Sequence, residues 1–317
     1  MKAMVLAAGL GTRLRPITYE MPKPLVPVLD RPIMSHILEL VNRHGFTELV
    51  ANLSYLPDQV REEFGDGSAY DVSLDWSFEE ELLGTAGGVR KVRGFFGQET
   101  FLVMAADALT DIDLGALAAA HERNDGIATL AVRRVPDTSE YGVVVTGSDG
   151  RIQGFQEKPD PAEALSDLAN CMIYMLEPEI FDYFPDEAEV DFALNVFPSL
   201  LEGDVPFYVH ETDAYWNDIG TLDELRQGNF DALAGAVSVA PGPRDGLPDD
   251  AAVEGEVFVG AGAEIGAAAR LDGPLVVGAG SRVGEGARLK ESVLLPGTEL
   301  GPGTMLMQAI AAPRSTG

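Results

Sequence analysis

Apolar positions follow two different rhythms along this chain. Up to about residue 235, short strand-like apolar runs alternate with stripes at helical spacing, which predicts a three-layer α/β domain. An apolar strand over 2–7 leads to a helix lined by Ile33, Ile37, Leu38, Leu40 and Val41, with Pro32 at its first turn and Gly45 near its end. Strands over 48–52, 72–76 and 100–104 follow, with a helix over 57–64 after the first and a glycine-bearing segment, Leu83 to Gly88, before the third. Asp113 suits the N-cap of a helix over 114–123. Strands over 127–133, 142–146, 152–156 and 170–176 come next, and helices over 192–201 and 222–233 flank a strand over 206–210.

After Gly235 the helical stripes stop. Leu247, Val253, Val259, Ile265, Leu271, Val277, Val283, Leu289 and Leu295 recur every six residues, and glycine follows at 260, 266, 278 and 284. A six-residue apolar period with glycine at the corners predicts a parallel β-helix of hexapeptide repeats. Three hexapeptides make one triangular coil, so these nine positions give about three coils. Residues 236–246 read as a linker, and Met305-Leu306-Met307 as a cap on the open end of the helix. The expected division is therefore 1–235 and 236–317.

Composition narrows the function classes. The 317 residues carry a net charge of −29, a field that repels nucleic acids and anionic membranes. The sequence shows no membrane span, and the N-terminal stretch has no long apolar core or cleavage site, so a cytoplasmic location is expected. The single cysteine, Cys171, reads as a small buried hydrophobe. His36, His44, His121 and His210 are scattered without metal-ligand spacing. Only five lysines occur, at 2, 23, 91, 158 and 290, so any anion site must be a local positive focus in an acidic surface.

The stretch VLAAGLGTRLRPITYEMPKPLVPV, residues 5–28, offers such a focus. A buried strand ends in Gly9-Leu10-Gly11, and Arg13, Arg15 and Lys23 follow. Small residues let backbone N–H groups approach a phosphate, and the cations neutralise it. The stretch is not a dinucleotide fingerprint, because Leu14 stands where the third glycine belongs, and it lacks the Gly-Lys-Ser/Thr of a P-loop. On spacing alone, a nucleotide loop and a glycine turn with solvent-facing arginines both remain open.

The motif LAAGLGTRLRP, with Lys23-Pro24-Leu25-Val26-Pro27-Val28 after it, strongly resembles the signature of the sugar-phosphate nucleotidyltransferases, the NDP-sugar pyrophosphorylases. The likeness continues through Asn52-Leu53-Ser54-Tyr55-Leu56-Pro57, Leu83-Gly84-Thr85-Ala86-Gly87, the Asp107 loop, Glu157-Lys158-Pro159, Asp191-Phe192 and Tyr215-Trp216-Asn217-Asp218-Ile219-Gly220-Thr221. The Leu-Gly-Thr-Ala-Gly segment together with a hexapeptide tail is most similar to the mannose-1-phosphate guanylyltransferase type. The resemblance implies a Rossmann-like nucleotidyltransferase domain followed by a short left-handed parallel β-helix. It also implies an enzyme that converts an NTP and a sugar 1-phosphate to an NDP-sugar and pyrophosphate with Mg²⁺.

Carried over residue by residue, the resemblance gives Arg13 and Lys23 catalytic roles on the triphosphate. Leu6, Ala8, Gly9, Gly11, Thr12, Gly84 and Thr85 become nucleotide-binding positions. Glu157, Lys158 and Asn170 would hold the sugar phosphate, and Asp107 and Asp218 the metal. A homo-oligomer built through the β-helix is expected as well. Three positions depart from the family pattern: Ala106 before the metal aspartate, Met172 where glycine is usual, and Ala193-Leu194-Asn195 where many members carry a lysine. These departures keep two alternatives in view, glucose-1-phosphate uridylyl- or thymidylyltransferase and a non-catalytic NDP-sugar-binding paralogue. A hexapeptide acyltransferase is disfavoured, since residues 236–317 contain no histidine.

Overall fold

The first apolar run forms β1 (Lys2–Leu6), which sits inside a mixed sheet. In the computed structural model, which describes residues 1–245 and 252–313, nine strands join in this sheet. The others are β2 (Glu48–Leu53), β3 (Ser73–Phe78), β4 (Phe101–Ala105), β5 (Ala128–Arg134), β6 (Gly142–Thr146), β7 (Ile152–Glu157), β8 (Leu168–Leu176) and β9 (Tyr208–Glu211). The order is β7-β6-β8-β4-β1-β2-β3, with β5 on β8 and β9 on β5. β4, β1, β2 and β3 run parallel, and β8 lies antiparallel to β4. The chain moves outward from β1 to β2 and β3, then returns to the other side of β1 as β4. Strand order therefore reverses between β1 and β4, and in open α/β sheets ligands bind beyond the carboxyl ends of strands at such a reversal.

Helices α1 (Ile33–Arg43), α2 (Pro57–Phe64), α3 (Gly84–Lys91), α4 (Leu114–Arg123) and α5 (Phe197–Glu202) interleave with these strands along the chain in a Rossmann-like arrangement, and α6 (Leu222–Leu233) follows β9. Asp113 caps α4 as expected, accepting from Ala116 N at 2.9 Å. The expected helix over 192–201 is a π-turn over Phe192–Val196 that runs into α5. Leu83 to Gly88, a glycine segment by sequence, is instead the start of α3. The sheet core is strongly aromatic: Phe96 and Phe101 stack with ring centroids 3.9 Å apart, and Phe181, Phe192, Phe197, Phe207 and Tyr174 extend the cluster.

The chain packs into two units. One comprises Met1–Leu10, Ile37–Ala106 and Ile112–Trp216 and holds the sheet; the other comprises Gly11–His36, Asp107–Asp111 and Asn217–Gly317. In the second unit the hexapeptide region forms three parallel sheets. The first joins Ala252–Glu254, Arg270–Asp272, Arg288–Lys290 and Met305–Met307. The second joins Val257–Val259, Leu275–Val277, Val293–Leu294 and Ile310–Ala311, and the third Glu264–Ile265, Arg282–Val283 and Glu299–Leu300. This is the β-helix expected from the period, with the three-sheeted cross-section of the left-handed class. Its glycine corners are steric: a Cβ added at Gly266, Gly278 or Gly284 would lie 2.4–2.5 Å from backbone of the next coil.

Two details differ from the six-residue count. Arg270 pairs with Arg288, an offset of 18, but Arg288 pairs with Met305 and Val276 with Val293, offsets of 17. The corner after Lys290 is one residue shorter, so Leu294 rather than Leu295 joins Leu289 in the interior, and Leu300, Leu306 and Ala311 continue from it. Leu247 lies outside the described residues. Met305–Met307 is the fourth and last strand of its sheet, with Leu306 turned inward and both methionines exposed.

The second β-helix sheet is apolar on both faces. Leu275, Val277 and Leu294 face the interior, while the alternate residues Phe258, Val276 and Val293 are also buried. Helix α6 packs against Leu275–Val277 and covers that outer face. Within the same unit, residues 27–28 and 31–32 form a hairpin whose tip residue Asp30 accepts from Ala279 N at 2.7 Å. Burial pushes the Asp30 carboxyl up to about 6, against the lowering effect of that hydrogen bond. A raised folded-state value favours the protonated form, so this contribution to stability is complete below about pH 4 and lost as pH rises through 6. Asp30→Asn should therefore gain on the wild type between pH 5 and pH 8, reaching about 1–2 kcal/mol after allowance for partial solvent screening. Paired thermal melts at the two pH values check this; a difference independent of pH would refute it.

Candidate functional site

The expected site residues divide between the two units. In the unit that holds the β-helix, Arg13, Lys23, Asp107 and Asp218 come together. Gly11 has φ +60, and a Cβ there would lie 3.0 Å from the Thr18 methyl and 3.1 Å from Lys23 Cβ, so the conformation favours glycine and the space is tight for anything larger. The Thr18 hydroxyl donates to Gly11 O at 2.7 Å, and Thr12–Leu14 then forms a short 3₁₀ turn that carries Arg13.

Lys23 is a buried cation. Its Nζ lies 2.6 Å from Asp107 Oδ2 and donates to the Asp218 carbonyl at 3.1 Å. Arg13 Nη2 lies 3.8 Å from Asp218 Oδ2, and its guanidinium packs so closely on Gly220 that a Cβ there would be 2.8 Å away. Asp218 occupies a strained turn: Asn217 Oδ1 accepts from Ile219 N at 2.9 Å, and Ile219 is held at φ +43, unusual for a β-branched residue. Burial, with the Glu224 and Asp107 carboxylates beside it, pushes the Asp218 carboxyl above the ordinary range, and Lys23 and Arg13 oppose this. Asp218 Oδ1 is a buried oxygen with no hydrogen-bond partner among the described residues.

That orphaned oxygen is a test of metal fit. Asp107 and Asp218 provide hard anionic donors, and a divalent cation at Oδ1 would relieve the burial that raises Asp218. Among the described residues no group of three or more His, Cys, Asp or Glu side chains forms a metal cage. Mg²⁺ needs none, because it commonly binds through one or two carboxylates together with substrate phosphates. The donor set fits Mg²⁺.

In the unit that holds the sheet, Leu6 ends β1, Ala8 is buried, and Gly9 is exposed, with no atom within 4 Å of an added Cβ. Ala7 N donates to Asn52 Oδ1 at 2.8 Å, Asn52 Nδ2 donates to Glu79 Oε1 at 2.8 Å, and Leu83 N donates to Glu79 Oε2 at 3.1 Å. This buried relay ties the loop after β1 to the start of α3. Gly88 makes room for it, since a Cβ there would meet both Glu79 and Asn52 within 2.8 Å. Gly84 (φ +76) is pressed against residue 190, whose carbonyl accepts from Ala86 N and Gly87 N, both at 2.9 Å. Thr85 donates its hydroxyl proton to Asp191 Oδ2 at 2.7 Å and accepts from Phe192 N, so only one lone pair is left to face a ligand.

Glu157 ends β7, Lys158 follows it with φ +45, and both are exposed. Asn170 is buried at a register irregularity of β8: its Oδ1 accepts from Met172 N at 3.0 Å and its Nδ2 donates to Tyr174 Oη at 2.8 Å. Met172 takes the glycine-like φ of +56 and folds its sulfur onto that hydroxyl, 3.0 Å away. The backbone bend that glycine usually provides is thus retained with a thioether filling its inner side. Cys171 is buried and its thiol is pushed up to about 12 by desolvation, in keeping with an inert core residue.

Sequence reasoning assigned no role to Glu79, Asp191 or Asp30. Asp191 carried a signal, a helix-capping residue type just before a helical stripe, and it accepts from Ala193 N and Leu194 N as an N-cap does. Glu79 and Asp30 have partners distant in the chain, and local pattern offered no signal for either.

Residues 2–235 match the family model described as nucleotidyl transferase. The chain belongs to the nucleotidyl transferase family. This nucleotidyl transferase is 37% identical, over 336 aligned positions, to the UTP–glucose-1-phosphate uridylyltransferase of Synechocystis sp., covering 98% of this chain and 87% of the relative. It is 35% identical to the mannose-1-phosphate guanylyltransferase of Mycobacterium tuberculosis, covering 85% of this chain and 77% of the relative. Among solved structures it resembles a Bacillus anthracis chain in complex with sucrose, with TM-score 0.68 and 24% identity over 76% of this chain and 97% of that one. It also resembles HddC from Yersinia pseudotuberculosis, with TM-score 0.62 and 23% identity over 72% and 97%. At those identities the two structures establish the fold alone.

If Gly9 serves backbone approach to a phosphate, Gly9→Ala should leave the melting temperature within about 1 °C, because the added methyl meets no protein atom. NTP affinity in a calorimetric titration should nonetheless fall about tenfold, the cost of roughly one lost hydrogen bond. Unchanged affinity would remove Gly9 from the nucleotide site.

Proposed function

We propose that this nucleotidyl transferase couples an NTP to a sugar 1-phosphate, forming an NDP-sugar and releasing pyrophosphate. The observation that carries the reading is the clustering of Arg13, Lys23, Asp107 and Asp218, two cations and two carboxylates that include the buried unpartnered oxygen of Asp218. A sugar phosphate is already largely dianionic near neutral pH, its second pKa being about 6, so its oxygen attacks the α-phosphorus without a general base. One O–P bond forms as the bond to the β-phosphate oxygen breaks, and pyrophosphate leaves with the electron pair. The obstacle is the approach of two polyanions, and position and positive charge overcome it.

In this reading Lys23 and Arg13 neutralise the β- and γ-phosphates, and Arg13 follows the charge onto the leaving pyrophosphate. Asp107 and Asp218 hold Mg²⁺, which when bound supplies Lewis-acid charge to the phosphoryl oxygens. Leu6, Ala8, Gly9, Gly11 and Thr12 present the loop to the nucleotide, and Gly84 and Thr85 line the base or sugar. Toward such a ligand the Thr85 hydroxyl can only accept. Lys158 holds the sugar phosphate, Glu157 accepts from sugar hydroxyls, and Asn170 is a further ligand of the sugar.

The pair we expect is guanosine with mannose, on the strength of the Leu83–Gly87 segment with a hexapeptide tail and of the guanylyltransferase relative. The uridine–glucose pair of the Synechocystis relative is the competing assignment. Pyrophosphate release measured across all NTPs with mannose and glucose 1-phosphates and Mg²⁺ separates them. Absence of turnover with every pair, alongside tight NDP-sugar binding, would replace the enzyme with a binding protein. We read residues 1–235 as the catalytic part and 236–317 as an assembly and regulatory part that gives a homo-oligomer; a monomer by light scattering would contradict this. No helix among the described residues is long and apolar enough to cross a membrane. A cytoplasmic location goes with a polyanionic substrate that a bilayer holds back.

A further inference from the structure

The hairpin that begins just after Lys23 turns at Leu29 and Asp30. Its strands pair Val28 with Arg31, and the two tip residues have φ +48 and +63, both left-handed. Two-residue turns of this kind favour Asn-Gly or Asp-Gly, because each central residue must take a conformation that side chains resist. Here a leucine and an aspartate occupy it, so the turn is held from outside. Three separate elements hold it: Asn229 of α6 accepts from Leu29 N at 2.9 Å, Gly242 N donates to Leu29 O at 2.7 Å, and Ala279 N in the β-helix donates to Asp30 Oδ2 at 2.7 Å.

The surroundings are shaped for the Asp30 carboxylate. A Cβ at Gly260 would fall 1.9 Å from Asp30 Oδ2, and one at Gly242 would fall 2.9 Å from Asp30 Cβ. An apolar tip would pack there without the desolvation that raises this acid to about 6. From the tip the hairpin leads back to Lys23 through backbone bonds: Ile33 N donates to Val26 O and Val26 N to Lys23 O, each at 3.0 Å. Lys23 in turn has Nζ 2.6 Å from Asp107.

We propose that Asp30 is a positioning residue through which the β-helix holds the Lys23 hairpin in register with Asp107. The β-helix then acts on Lys23 through the hairpin, beyond any part it has in assembly. The consequence for NTP binding rests on the function proposed above; the mechanical link does not.

The test exploits the scarcity of lysine. Asp30→Gly removes the carboxylate while supplying the residue this turn prefers, so the hairpin itself is not strained further. Acetic anhydride footprinting read by peptide mass spectrometry should show Lys23 labelling at least about fivefold faster, with Lys2, Lys91, Lys158 and Lys290 unchanged. Ala279→Pro removes the donor from the other side and should expose Lys23 in the same way, a second route should the first variant fail to melt cooperatively. Asp30→Asn keeps an acceptor and tolerates the left-handed backbone, so its Lys23 labelling should stay within about twofold of wild type. In the turnover assay Asp30→Gly should raise the NTP KM about tenfold with kcat changed less than about threefold, and Asp30→Asn should restore it. Wild-type labelling of Lys23 in both severing variants, or labelling in Asp30→Asn equal to Asp30→Gly, overturns the proposal. A wild type that turns over no NTP would instead overturn the proposed function, while the footprint still decides the link.

Discussion

Asp107→Asn should lower Mg²⁺-dependent pyrophosphate release by about 10³-fold while the melting temperature moves by only a few degrees. The substitution keeps shape and removes one charge. Asp107 faces Lys23 at 2.6 Å and contributes to the electrostatic field at Asp218, so in the proposed site neutralising it would weaken metal retention and free Lys23 from its nearest anion. The fold is spared because Lys23 still donates to the Asp218 carbonyl and Asp107 follows a strand whose pairing does not involve its side chain. Initial rates over a Mg²⁺ titration give the result. Unchanged turnover at every Mg²⁺ concentration would refute the metal assignment.

Gly84→Ala should destabilise the protein by about 3 kcal/mol or more, a fall of about 5–10 °C in melting temperature. The added methyl would lie 2.4 Å from the carbonyl oxygen of residue 190 and 2.8 Å from its carbon, and φ is +76. Backbone rather than a flexible side chain stands in the way, so the segment must separate and give up the bonds from Ala86 N and Gly87 N. The shift also moves Thr85 off Asp191, which links the damage to the expected base or sugar pocket. A loss below 1 °C would show that the 83–87 segment is not locked to residue 190. Gly9→Ala, with open space around it, is the matched control.

Much of the fold was legible because it rests on spacing. Strand and helix rhythms, the Asp113 cap and the hexapeptide period are local patterns, and the structure contains them apart from the π-turn over Phe192–Val196 and the short corner after Lys290. The clustering of Lys23, Asp107 and Asp218 followed from a family resemblance, since nothing in the spacing of residues 23, 107 and 218 brings them together. What spacing could not supply is contact between distant positions. Asp30 meets Ala279 across 249 residues, and the Asn52–Glu79 relay depends on how parallel strands are ordered. The start of α3 was obscured by its own glycines, which read as a loop but serve close packing against residue 190 and the relay. Met172 read as bulk that replaces a glycine; its backbone takes the glycine conformation and its sulfur turns to Tyr174.

The shortened corner after Lys290 makes the β-helix a ruler with two gradations. Pairs that close before that corner lie 18 residues apart, as Arg270 and Arg288 do, whereas pairs that span or follow it lie 17 apart, as Arg288 and Met305 or Val293 and Ile310 do. A tail written on the uninterrupted six-residue count from Leu289 would put its apolar residues at 295, 301 and 307, one place away from the inward positions held by Leu294, Leu300 and Leu306. Lengthening or exchanging this tail in a chimaera therefore depends on counting from the correct side of Lys290.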